Sequence, residues 1–286
     1  MELNTELIEI LKTINKEKVI CLLAPSFVVD FKYPKIITEL RRIGFNKIVE
    51  LTYSAKLINK EIHKQILENK KKQYICGNCL SVVKYIENKY PELKKNIMDI
   101  GSPMVIMARF MKEKYPKYKV VFVGPCFSKK QEAKENKEVD YALTFKEIND
   151  MFLYAKKNGF YKKQEKENKH FDKFYNDYTK IYPLSGAVAE TMNTREILKP
   201  EEIIIADGIK EIDKAIMKFK ENKKVRFLDM LFCTGGCVGG PGIISTETIE
   251  QREDRVIHYR DKSKNEKLGK NFGKFKYAEN LSLKRK

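Results

Sequence analysis

Six cysteines stand in this chain, and four of them, Cys79, Cys126, Cys233 and Cys237, fall in patterns that suit soft-metal chemistry. Thiolates are the polarisable, anionic ligands that iron–sulfur clusters require. The last pair is set in the stretch CTGGCVGGPG. Glycines there let the backbone approach a cluster and leave amide N–H groups to point at its sulfurs. Read alone, the same stretch also suits a zinc site or a glycine turn with two buried thiols. Cys76 and Cys79 form CGNC, which by itself reads as zinc ligation or as a thioredoxin-like pair opening a helix near Ser81. That reading leaves the other three cysteines unexplained. Cys21 lies inside an apolar run and is expected to be a small buried hydrophobe. His63, His170 and His258 are scattered without ligand spacing.

The elements that must position these thiols alternate. Short apolar runs predict strands over Lys18–Leu23, Lys47–Leu51, Tyr74–Cys76, Val120–Val123, Tyr141–Leu143, Ile203–Ala206 and Arg226–Asp229. Amphipathic stretches predict helices over Thr5–Ile14, Tyr33–Ile43, Ser54–Asn69, Ser81–Asn88, Pro103–Lys114, Phe145–Lys156, Ala187–Met192 and Ile209–Asn222. Strands separated by such helices imply an α/β fold with parallel sheets. VICLL, VVFV and IIIA are unbroken apolar runs, as expected of strands covered on both faces. Each ligand loop then follows a strand, where open α/β sheets gather their sites. The segment Lys162–Tyr182 reads as a surface insertion or a mobile connection. Residues 1–260 form the expected domain, and 261–286 a lysine-rich, partly disordered tail.

Composition bounds the function classes. Hydrophobic residues make up 42% of the 286, enough for a packed core. No apolar run reaches the ~18 residues of a membrane span, and the N-terminus lacks the pattern of a signal peptide. A cytoplasmic protein is expected, and no membrane partner. Clustered thiols in a reducing cytoplasm favour metal or redox work over disulfides. The net charge is +18, but the lysines are spread among Glu and Asp on helix faces. Without a nucleic-acid motif this reads as a solvated surface, so nucleic acid is not the expected partner.

Several stretches together resemble the iron-only hydrogenases, in the C-terminal domain that carries their catalytic cofactor. CGNCLSVVKYIENKYPEL is similar to the first cluster-binding stretch of that family, VVFVGPCFSKKQEA to the second and MLFCTGGCVGGPG to the third. CLLAPSF, GSPM and YALTFKEI match in order, so the resemblance runs from about Lys18 to Tyr259. It implies two lobes of mostly parallel sheets flanked by helices, with the cofactor between them. It also implies a [4Fe-4S] cluster, to which the full cofactor adds a two-iron unit with carbonyl and cyanide ligands. By motif position Cys79, Cys126 and Cys233 would hold the cubane, and Cys237 would bridge cubane and two-iron unit. Lys129 would donate to a cyanide, Pro25 and Ser26 would line the two-iron pocket, and Pro103 would help close it. Lys129 and Cys237 are thus the implied catalytic positions, and Glu132 a structural or relay residue.

The departures are as specific. Where active members carry a proton-shuttling thiol, this chain has Asn78, whose amide cannot exchange a proton in that way. Gly124 replaces a methionine packed near the irons, and the glycine run continues Gly240-Pro241-Gly242. These features resemble the family's sensory branch and imply slow or sensory dihydrogen chemistry. The alternative is a non-enzymatic [4Fe-4S] protein for electron transfer or redox sensing. A zinc-stabilised nucleic-acid module uses the charge and CGNC but ignores the other stretches. No C-x₂-C-x₂-C-x₃-C run precedes the first strand, so a ferredoxin-like donor or acceptor, or a signalling partner, is expected.

Overall fold

The computed structural model describes residues 3–162, 169–172, 178–265 and 274–285. Among them two parallel sheets form. The first has the order β2-β1-β4-β5, with β1 Val19–Leu23, β2 Lys47–Glu50, β4 Lys119–Gly124 and β5 Tyr141–Thr144. The second has the order β3-β7-β6, with β3 Tyr74–Ile75, β6 Ile203–Asp207 and β7 Phe227–Leu231. Every ladder is parallel; Cys21 of β1, for example, stands between Ile48 and Val121. All seven expected strands therefore form, each within two residues of its expected bounds.

Helices cover these sheets: α1 Thr5–Lys16, α2 Lys35–Arg42, α3 Thr52–Glu68, α4 Leu80–Lys89, α5 Pro103–Lys114, α6 Ser128–Glu135, α7 Phe145–Lys157, α8 Ala187–Thr191, α9 Ile209–Glu221 and α10 Ile249–Ser263. Local chemistry sets several of their starts. Asn4 caps α1 and Ser102 caps α5 with Pro103 at its first position, while Thr144 and Glu147 close a capping box on α7. One core packs around the first sheet, including all of VICLL; a smaller one joins α4 and α9 to the second sheet. Two lobes result, and the loops bearing cysteines lie between them. No helix among the described residues is long and apolar enough to cross a membrane.

Four expectations change. Strand β6 is not covered on both faces: it is the edge of its sheet, and Ile205 is 51% exposed. Helices α6 and α10 form where none was expected. SKKQEAKE buries only Glu132 and Ala133, and α10 buries only Val256, Tyr259 and Ser263, so neither shows a full apolar stripe. Within Lys162–Tyr182, residues 163–168 and 173–177 lie outside the described residues, but the rest is not superficial. Phe171 packs in the core, Asp172 accepts the Ile48 amide at 2.6 Å, and the 3-10 helix Tyr178–Ile181 buries Thr179, Lys180 and Ile181. Finally, α10 runs past the expected boundary at 260. Of the tail beyond it, residues 266–273 and 286 lie outside the described residues. The stretch 274–285 returns to α5: Gly101 donates to Leu283 O at 2.9 Å, Arg109 Nη1 to Ser282 O at 3.1 Å, and Leu281 is buried.

Candidate metal centre

Cys79 follows β3 and stands at the N-cap of α4. Cys126 follows β4, and Cys233 and Cys237 follow β7. The first sheet therefore delivers one thiol and the second sheet three. All four are reduced and half-buried. Cys79, Cys126 and Cys237 line one cavity of about 100 Å³ between the lobes. Cys233 is not on that lining, yet the charges of Cys126 and Cys79 reach it. The same cavity is walled by Pro25, Ser26, Pro103 and Lys129, so the site residues expected from the sequence line it together, Cys233 excepted.

Three of the thiols, Cys79, Cys233 and Cys237, are held away from ionisation. Burial pushes Cys233 up to about 11, with the Cys126 and Cys79 charges adding to the rise. Burial also raises Cys237 well above the ordinary thiol range; its three neighbours raise it further and Lys129 opposes them. In Cys79 burial again dominates, against the lowering by Lys129 and by backbone N–H groups of Val82 and Phe232. Binding to cluster iron would displace the thiol protons and offset the charge that burial opposes. Among the described residues no three Cys, His, Asp or Glu side chains stand close enough to share one metal ion. A zinc site is therefore not preformed among them, whereas a cubane takes thiols spread about its corners.

Polar groups on the wall point the same way. Ser26 Oγ and Asn78 Oδ1 are buried on the lining and have no hydrogen-bond partner among the described residues. Such atoms are costly unless a polar group meets them. Lys129 is tied to Glu132, Nζ to Oε2 at 2.6 Å, and Glu132 accepts from Ser102 Oγ at 2.9 Å. Desolvation works against its charge, but Glu132 and the Cys126 and Cys79 thiols outweigh it and hold the Lys129 pKa above the ordinary lysine value. A permanent cation thus stands beside the thiols. These residues fit a polar iron–sulfur group.

The glycines act differently from expectation. The Gly236 amide donates to Cys233 O, the Cys237 amide to Pro183 O, the Gly240 amide to Cys237 O and the Gly242 amide to Pro125 O. Those four N–H groups are spent on carbonyls and do not point at a cluster. What requires glycine is close approach to protein backbone: a Cβ at Gly242 would stand 2.8 Å from Pro125 O, and one at Gly236, where φ is +68°, 2.6 Å from Pro183 O. The C-x₃-C loop is thereby pressed onto the loop carrying Cys126.

Sequence reasoning missed other lining residues, among them Thr52, Met104, Phe122, Thr179 and Tyr182. Thr52 follows a strand end, a signal the sequence carries. Phe122 is two residues before Gly124, on the same face of β4, and its ring occupies the space into which a Cβ at Gly124 would point. Thr179 and Tyr182 come from the segment expected at the surface. Cys76 is fully buried and off the lining, its thiol driven up by burial, with Asp229 adding to the rise.

A family model for the iron-only hydrogenases, describing the C-terminal domain of the large subunit, matches residues 17–241. The chain belongs to this family. Iron hydrogenase 1 of Clostridium pasteurianum is 27% identical over 258 residues, covering 73% of this chain and 45% of that protein. The cytosolic Fe-S cluster assembly factor NAR1 of Encephalitozoon cuniculi is 25% identical over 243 residues, covering 77% of this chain and 65% of the relative. The match thus spans between about half and two thirds of these curated relatives' lengths. A variant of the FeFe-hydrogenase HydA1 of Chlamydomonas reinhardtii superposes with a TM-score of 0.67 at 16% identity, covering 97% of this chain and 98% of that one. The two-lobed fold of the iron-only hydrogenases is therefore the fold of this chain.

Proposed function

We propose that this chain is a cytoplasmic iron–sulfur protein of the iron-only hydrogenase type, with a [4Fe-4S] cluster on Cys79, Cys126, Cys233 and Cys237. One observation carries the reading: thiols from both lobes meet at one mostly apolar cavity beside the Lys129 ammonium. When bound, a cluster of this kind supplies one-electron redox chemistry, extended to dihydrogen chemistry where a two-iron unit joins it. Cys237 lies on the cavity wall and would be the thiol shared by the two parts. Lys129, with Ser26 and Asn78, offers the polar contacts that anionic ligands in a dry pocket need. Pro103, at the start of α5, and the apolar wall exclude water. Asn78 holds a hydrogen-bond acceptor where a shuttle thiol would exchange protons, so turnover is slow and a sensory role is favoured.

Phe122 favours a second reading. Its ring fills the space above Gly124 on the cavity wall, room that a two-iron unit would otherwise use, which suits a cubane without that unit. Relatives named as cytosolic Fe-S cluster assembly factors accord with that non-enzymatic role. Phe127, 49% exposed beside Cys126, together with the basic surface, suits docking of an acidic ferredoxin-like or signalling partner. Infrared spectroscopy on protein produced with hydrogenase maturation proteins separates the two readings. Carbonyl and cyanide bands support the two-iron unit. Their absence in a sample with a full cubane leaves the second reading.

A further inference from the structure

A buried acid–base cluster stands directly behind the cavity wall. Glu50 ends β2 and Lys180 lies on the 3-10 helix, both with side chains 0% exposed and joined Nζ to Oε2 at 2.5 Å. Tyr259 of α10 donates from its hydroxyl to Glu50 Oε1 at 2.8 Å, and Lys180 Nζ donates to that hydroxyl at 3.0 Å. Thr52 completes the set. Its hydroxyl donates to Glu50 Oε2 at 3.3 Å, and the residue lines the cavity. Thr179, next to Lys180 in the chain, lines it too and donates to Thr52 O at 2.7 Å.

Fold stability alone is a weak reason for such a cluster. Desolvating two charges costs several kcal/mol per ion, and well-packed apolar residues serve as well or better. Here an acid bonded to an ammonium and a phenol is itself linked through Thr52 to the wall of a cavity that would hold a variable charge. Among the described residues, Lys180, Tyr259 and Thr52 act on Glu50. Burial raises the Glu50 pKa, and Lys180 is the chief opposing influence. An added negative charge nearby in a low-dielectric interior favours the protonated acid further.

We propose that the Glu50–Lys180–Tyr259 cluster takes up a proton when a redox group in the cavity gains an electron, with Thr52 as its hydrogen-bonded link to the wall. The electron comes from an external one-electron donor and the proton from solvent, so the net charge between the lobes is unchanged; oxidation returns both. The inference rests on the cavity holding an iron–sulfur cluster. It gives this chain a proton-exchanging group where Asn78 offers none.

The test is a redox titration of the reconstituted cubane in the whole chain across the neutral pH range. One proton per electron moves a midpoint by ~59 mV for each tenfold change in proton activity. The parent protein is expected to approach that slope over part of the range, and Glu50→Gln, which keeps an acceptor for Tyr259 and Lys180, to give a flat line. If that variant fails to fold, the double variant Glu50→Gln, Lys180→Met removes the charges together and should also be flat. A flat parent, or an unchanged slope in the variants, overturns the proton link while leaving the cluster intact. A parent that takes up no cubane overturns the link together with the cluster reading beneath it.

Discussion

Alanine at Gly242 should damage both the fold and the cluster site, by an amount that follows from the local geometry. A Cβ there would stand 2.8 Å from Pro125 O, 2.9 Å from Pro125 C and 2.9 Å from Thr144 Cβ. Carbon contacts settle at about 3.5–4.0 Å, so both neighbours must retreat by roughly 0.6 Å or more. Neither is a flexible side-chain end: Pro125 is backbone beside Cys126, and Thr144 caps α7. Overpacking of this kind costs about 1–3 kcal/mol. The Gly242 N–H to Pro125 O bond of 2.8 Å would be stretched as well, adding about 1 kcal/mol. Gly242 is not among the residues with positive φ, so the loss, about 2–4 kcal/mol by these figures, is steric. Gly159 provides the control. Its φ is +73° and a Cβ would meet nothing within 4 Å, so alanine there costs only the left-handed strain of about 1–2 kcal/mol. Denaturant unfolding of both apo variants, followed by iron and sulfide determination after reconstitution, makes the comparison. Gly242→Ala should unfold earlier and hold less cluster, and Gly159→Ala should load like the parent. A Gly242→Ala protein that unfolds and loads like the parent would refute the account of how the two cysteine loops are pressed together.

Other perturbations test separate parts. Lys129→Met leaves Glu132 buried with Ser102 alone and should cost about 3 kcal/mol of apo stability; denaturation unchanged from the parent would show that the pair is immaterial. Asn78→Cys places a thiol on the cavity wall and should raise hydrogen evolution in protein carrying the full cofactor, whereas an unchanged rate in such a sample rules out proton delivery as the limit. Burial holds Asp229 up at about 6, from an ordinary value of 3.8, despite the amides of Ala189 and Val188. Folding therefore favours its protonated form, so its ionisation costs stability as pH rises through 6, by about 3 kcal/mol in full. Relative to Asp229→Asn, the parent should lose stability between pH 4 and 7, and a constant difference across that range would contradict the assignment. Gly124→Ala should destabilise by driving Cβ into the Phe122 ring, and Phe122→Ala should relieve much of that loss; additive effects in the double variant would argue against the contact.

Much of this arrangement is legible in the sequence because it depends on local pattern. Apolar runs such as VICLL and VVFV become strands, and the cysteines just beyond three of the strands become neighbours through the parallel topology. What escapes reading depends on tertiary contact. Lys180 looks like a surface lysine until Glu50 and Tyr259, distant in the chain, meet it in the core. Phe122 becomes a cavity wall only because Gly124 leaves its ring room. Helix α10 is the partial exception. Its capping box, Thr248 to Gln251, stands in the sequence, but its polar face outweighs the three residues it buries. The glycines after Cys233 are readable as a close approach, though not as an approach to Pro125 and Pro183.

Anaerobic reconstitution followed by iron and sulfide determination and paramagnetic resonance tests the central claim most directly. The account predicts about four irons and four sulfides per chain with the signal of a reduced [4Fe-4S] cluster, and serine at Cys79, Cys126, Cys233 or Cys237, but not at Cys76, should abolish or alter that signal. Stoichiometric zinc without iron or sulfide, or a cluster indifferent to those substitutions, would contradict it.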